Sequence, residues 1–99
     1  MASLRDTVKD YQEELRDGIA WVAFWKTGRS WNAEYFHLEM SDSLYPEDRS
    51  RVEEIKHADP AAVVVNGYYY VYLSDDMHLE EVTAGVRRHY ENGYSNIGE

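Results

Sequence analysis

Ninety-nine residues, 43% of them hydrophobic and 14% aromatic, are enough for one domain and too few for two, because closing a core takes roughly 100 to 150 residues. Nineteen acids against ten bases leave a formal net charge of -9, which argues against direct nucleic-acid binding, since phosphates call for a positive stripe. With no Cys, disulfide scaffolds, thiolate zinc sites and cysteine nucleophiles are excluded; Met1 to Asp6 lacks the apolar region of a secretory signal, and no apolar run approaches the roughly 18 residues of a bilayer span, so the chain reads as soluble and cytoplasmic with no membrane partner.

Leu4, Val8, Tyr11 and Leu15 fall on one helical stripe, predicting an amphipathic helix from Leu4 to Arg16. Ser3 caps it, with Asp6 three residues later, and Gly18 supplies the stop. Ile19 to Trp25 is short, aromatic and β-branched, as a buried strand requires. Lys26-Thr27-Gly28-Arg29 offers a turn, and Ser30 to His37 alternates Trp31, Ala33 and Tyr35 with Asn32 and Glu34, which completes a first hairpin. Met40-Ser41-Asp42-Ser43 reads as a loop. Pro46 then opens a second helix with Glu47 and Asp48 in its first turn, and Pro60 ends it near His57. Val52 and Ile55 give that helix a thin apolar stripe, so it is expected at the surface.

Asn66-Gly67 between Ala61-Ala62-Val63-Val64-Val65 and Tyr68-Tyr69-Tyr70-Val71-Tyr72-Leu73 predicts a second hairpin around a type I′ turn. Leu79, Val82, Val86 and Tyr90 define a third helix closed by Asn92-Gly93, and Tyr94 to Glu99 is expected to fray. The order α-ββ-α-ββ-α leads to an α+β two-layer sandwich, a four-stranded antiparallel sheet with helices on one face. Val8, Leu15, Val82 and Val86 are the expected core. On the fourth strand, alternation turns Tyr69, Val71 and Leu73 to the helices and Tyr68, Tyr70 and Tyr72 to the open face. With Trp31, those three form a candidate aromatic surface for a protein partner or a second copy of the chain.

Chemistry-bearing motifs are sparse. His37-Leu38-Glu39 has the spacing of zinc deaminases but lacks their cysteines. His57-Ala58-Asp59 and Asp75-Asp76-Met77-His78 hold donor atoms without a recognised ligand spacing, and helix capping accounts for them. Nucleophile-elbow, phosphate-loop and zinc-protease patterns are absent. No catalytic residue, metal or cofactor is therefore assigned, and the chain is not expected to be an enzyme. Arg87-Arg88-His89 complements the end of the third helix dipole or, alternatively, clamps an anion.

The acids gather. Between Glu34 and Asp59, eight acids (Glu34, Glu39, Asp42, Glu47, Asp48, Glu53, Glu54, Asp59) face Arg49, Arg51 and Lys56, a local balance of -5. Asp75, Asp76, Glu80 and Glu81 form a second patch. Such surfaces keep a protein soluble; they can also imitate the phosphates of a nucleic acid and occupy the basic groove of a partner. The partner-binding candidates are Glu47, Asp48, Glu53, Glu54, Asp75, Asp76, Glu80 and Glu81, with a basic protein as partner. A dimerising module built on the aromatic face is the alternative.

The stretches Asp17-Gly18-Ile19-Ala20-Trp21-Val22-Ala23-Phe24-Trp25-Lys26, Gly28-Arg29-Ser30-Trp31-Asn32-Ala33-Glu34 and Leu79 to Tyr94 resemble small uncharacterised proteins carried by bacterial plasmids and other mobile elements. The resemblance transfers no site residue. It implies a setting in which small acidic proteins blunt host defences, restriction and CRISPR nucleases among them.

Overall fold

The central strand sets the architecture. A computed structural model describes residues 1–37 and 44–98; in it β1 (Ala20–Thr27) lies between β2 (Ser30–His37) and β3 (Val63–Asn66), both antiparallel to it, and β4 (Asn96–Ile97) adds to β3 in parallel, giving the order β2-β1-β3-β4. The first hairpin is as the alternation predicts, with Thr27 opposite Ser30 across Gly28-Arg29 and Gly28 in the left-handed region at φ 63°, where glycine carries no Cβ penalty.

The predicted first helix is broken into α1 (Leu4–Asp10) and α2 (Gln12–Asp17). Tyr11, at φ -116° and ψ 12°, departs from helical geometry between them. The apolar stripe survives the break, because Leu4, Val8 and Leu15 are all buried. Ser3 caps α1 by accepting from the Asp6 amide at 3.1 Å, and Gly18 ends α2 in the left-handed conformation. Pro46 opens α3 (Pro46–Ala58), as predicted. The expected loop at Met40 to Ser43, with Glu39 and Asp42, lies outside the described residues.

The second hairpin does not form. Asn66 keeps an extended backbone and its side chain accepts from the Tyr68 amide at 3.0 Å, capping a 3-10 helix over Gly67–Tyr70. Gly67 serves close approach: a Cβ there would stand 3.0 Å from the carbonyl oxygens of Leu15 and Ala20. The chain continues into α4 (Asp75–Asn92), capped by Gly93 at φ 75°, and returns as β4. The second unit is thus β-α-β, as parallel neighbours require a long crossover. Within the tail expected to fray, Asn96–Ile97 forms β4: Val64 N–H donates to the Ser95 carbonyl at 2.9 Å, and Ile97 is buried.

The sheet is covered on both faces, which corrects the expectation of helices on one. Leu4, Val8, Leu15, Val82 and Val86 from α1, α2 and α4 pack with Val22, Phe24, Val63, Val65 and Ile97 on one side. Ile55 of α3, with Val52 beside it, packs with Trp21, Ala23, Phe36 and Val64 on the other. The fold is α+β with a mixed sheet between two helical layers. No described helix is long and apolar enough to cross a membrane.

Candidate functional site

Because Tyr68, Tyr69 and Tyr70 follow the three-residue period of a 3-10 turn, they do not alternate as strand residues would. Tyr70 turns inward and is 8% exposed, whereas Tyr68, Tyr69 and, just beyond the turn, Tyr72 are 58, 56 and 77% exposed. Tyr68 and Tyr72 meet edge to face at 6.3 Å, and Tyr69 packs on Tyr70 at 5.0 Å. The turn is held from two sides. Arg16 of α2 donates from Nη1 to the Val71 carbonyl at 2.9 Å and from Nε to Asp75 of α4 at 2.7 Å. Three tyrosine rings thus stand in solvent on an anchored segment, where they present large apolar area at little entropic cost on binding.

Trp31 and Tyr70 leave the predicted aromatic surface. Trp31 is buried against Tyr90 at 4.8 Å between ring centres, with the Lys26 ammonium 5.3 Å from its ring. Tyr70 packs edge-on against His78 at 6.3 Å, and burial pushes its phenol up to about 12. Beside the tyrosine turn lies an open depression of about 660 Å³, bounded by Tyr72, Leu73 and Ile97 and by Glu81 and Arg88 of α4, with Tyr70 among its lining.

The two acidic patches lie on opposite helical layers. On α3, Arg51 clamps Glu34 with both Nε and Nη2 at 2.9 Å and reaches Glu54 at 3.2 Å, while Glu47 and Glu53 remain exposed and Asp48 half-buried. On α4, Asp75 pairs with Arg16 and Glu80 with Arg5, at 2.7 and 2.8 Å; Asp76 and Glu81 carry no ion pair among the described residues. Arg51 thus pairs with part of the first patch, and Arg16 and Arg5 with part of the second.

Of the donor residues weighed as metal ligands, Asp59 and Asp75 are held by structural partners. Asp59 accepts from the Lys26 amide at 3.0 Å, the Ala61 amide at 3.1 Å and the Tyr90 hydroxyl at 2.8 Å. Burial, then that carboxylate, pushes the Tyr90 phenol up to about 12. Among the described residues no three His, Asp or Glu side chains gather as a metal site.

His78, expected at a helix boundary, is fully buried with neither ring nitrogen hydrogen-bonded among the described residues. Burial, then the charge of Arg16, lowers its pKa below 6.5. The unfolded chain therefore binds a proton that the folded one refuses, so stability is full above about pH 6.5 and falls below it, by at most about 1.4 kcal/mol per pH unit. Urea unfolding at pH 7.5 and 5.5 is expected to show that loss, and His78→Leu to reduce it; equal pH dependence in both proteins would exclude His78 as the source.

No curated protein and no solved structure matches the chain. The family model described as Large polyvalent-protein-associated domain 15 matches residues 2–99, and the chain belongs to that family of domains.

Proposed function

We propose that the domain is a non-enzymatic protein-binding module, acting in the cytoplasm, that engages its partner through Tyr68, Tyr69 and Tyr72. The observation that carries this reading is the exposure of three tyrosines on a turn tied to α2 and α4. Tyr is enriched where interfaces concentrate their binding energy, and a rigid presentation lowers the entropy lost on association. Asp75, Asp76, Glu80 and Glu81 begin three residues past Tyr72, so a basic partner complements the surroundings. Membership of a family of domains associated with large polyvalent proteins fits the mobile-element setting and a role in assembly with other proteins.

A second reading has support in the exposed carboxylates of α3 and α4: an anti-defence decoy that imitates nucleic acid in a basic groove. The two readings respond oppositely to substitution. Immobilised wild-type domain and two variants, Tyr68→Ser/Tyr69→Ser/Tyr72→Ser and Glu47→Lys/Asp48→Lys/Glu53→Lys/Glu54→Lys, are compared for the proteins they retain from host lysate. The tyrosine reading expects loss with the first variant and retention with the second; the reverse pattern favours the decoy. Light scattering on the purified protein checks the remaining occupant, a second copy. A mass of 11.6 kDa is expected, since two chains of charge -9 repel, and twice that mass would assign the surface to self-association.

A further inference from the structure

The depression beside the tyrosine turn has charges of opposite sign on one wall. Glu81, Gly85 and Arg88 stand at i, i+4 and i+7 of α4, positions that share one face of a helix. At about 1.5 Å rise per residue, Glu81 and Arg88 are about 10 Å apart along the axis. Both line the depression and both are exposed, and neither side chain has an ion pair among the described residues. Between them, the Tyr70 hydroxyl lies so close to Gly85 that a Cβ there would overlap it. Tyr70 is 8% exposed and is one of the residues that line the depression. Arg88 and Glu81 line the same depression as Tyr70 and act on the ionisation of its hydroxyl in opposite directions. The remaining walls carry Tyr69, Tyr72, Leu73 and Ile97, with His89 and Asn96 as polar members.

We infer that this groove binds a short polyproline II segment carrying a basic and an acidic side chain three residues apart, the basic one against Glu81, the acidic one against Arg88, and its backbone against the Tyr70 hydroxyl. The geometry selects that class. A purely anionic ligand meets Glu81 and a purely cationic one meets Arg88. A polyproline II helix repeats every three residues at about 3.1 Å each, so side chains at i and i+3 share a face about 9 Å apart, close to the spacing on α4. Such segments are already extended before binding and dock in tyrosine-lined grooves, where their rings stack. The inference rests on the protein-binding reading above and names the segment that the partner contributes.

Three capped proline-rich hexapeptides test it, identical except at two positions three apart that carry Lys and Glu, Lys and Lys, or Glu and Glu. Each is titrated into isotopically labelled domain and followed by amide chemical shifts. The mixed peptide is expected to bind about threefold to fivefold tighter than either single-sign peptide, the value of one exposed charge contact, and to shift amides at residues 69–73, 81–89 and 96–98. Arg88→Glu should make the Lys/Lys peptide the preferred one and Glu81→Lys the Glu/Glu peptide; both sites are exposed, so the fold is retained. Tyr70→Phe, which keeps the ring in place, should weaken all three. Equal affinities, or shifts mapping elsewhere, would overturn the inference. In that case loss of lysate proteins by the triple tyrosine variant would still uphold the protein-binding reading, whereas peptide binding without that loss would separate the groove from it.

Discussion

Phe24→Ala is expected to lower the unfolding free energy by about 3 to 5 kcal/mol, the range for truncating a buried aromatic. Phe24 is fully buried on the central strand, paired with Ala33 of β2 and Val63 of β3, under the helices of the α1/α4 layer. Neighbours on a central strand cannot collapse into the vacated space without breaking the ladder, so most of the cavity persists. For a domain whose total stability is on the order of 5 to 15 kcal/mol, that loss is a large share. Urea unfolding followed by tryptophan fluorescence measures it, and a change below about 1 kcal/mol would show that β1 is not the centre of the core.

Leu15→Ala should cost about 2 to 5 kcal/mol, with a second consequence for the surface. The six residues of α2 are far too few for an isolated helix to persist, so burial of Leu15 against the core is what holds it. The backbone of Leu15 lies against Gly67, and Arg16 bonds the Val71 carbonyl, so the tyrosine turn leans on α2. Amide hydrogen exchange should accelerate at residues 67–71 in Leu15→Ala more than in β2. Uniform acceleration across the domain would show instead that the turn has no separate dependence on α2.

The features legible in the sequence were local. The stripe of Leu4, Val8 and Leu15, the Ser3 cap, the glycine stops at Gly18 and Gly93 and the Pro46 start each report on a few neighbouring residues. The first hairpin was legible for the same reason. Asn66-Gly67 misled because Asn serves two geometries, a positive φ in a hairpin and a side-chain cap on a 3-10 turn, and Tyr-Tyr-Tyr fits both. That ambiguity then reassigned the faces: strand alternation turns Tyr70 outward, whereas the 3-10 turn buries it and exposes Tyr69. Tyr68 and Tyr72 are on the surface in either case. The parallel pairing of β3 with β4 joins Val64 to Asn96, a non-local contact that no periodicity records. One signal for the groove was present: Gly85 inside an otherwise regular helix costs about 1 kcal/mol relative to Ala, and close approach by Tyr70 explains it.

The central claim, recognition by an anchored tyrosine turn, is tested most directly by calorimetric affinity for the retained partner at two salt concentrations, with wild-type domain and the Tyr68→Ser/Tyr69→Ser/Tyr72→Ser variant. Apolar burial is not screened by salt, whereas exposed charge contacts weaken as the Debye length shortens between about 0.05 and 0.2 M. Affinity that changes little with salt in the wild type and is lost in the variant is the predicted result. Affinity that collapses with salt and survives removal of the three tyrosines would contradict it.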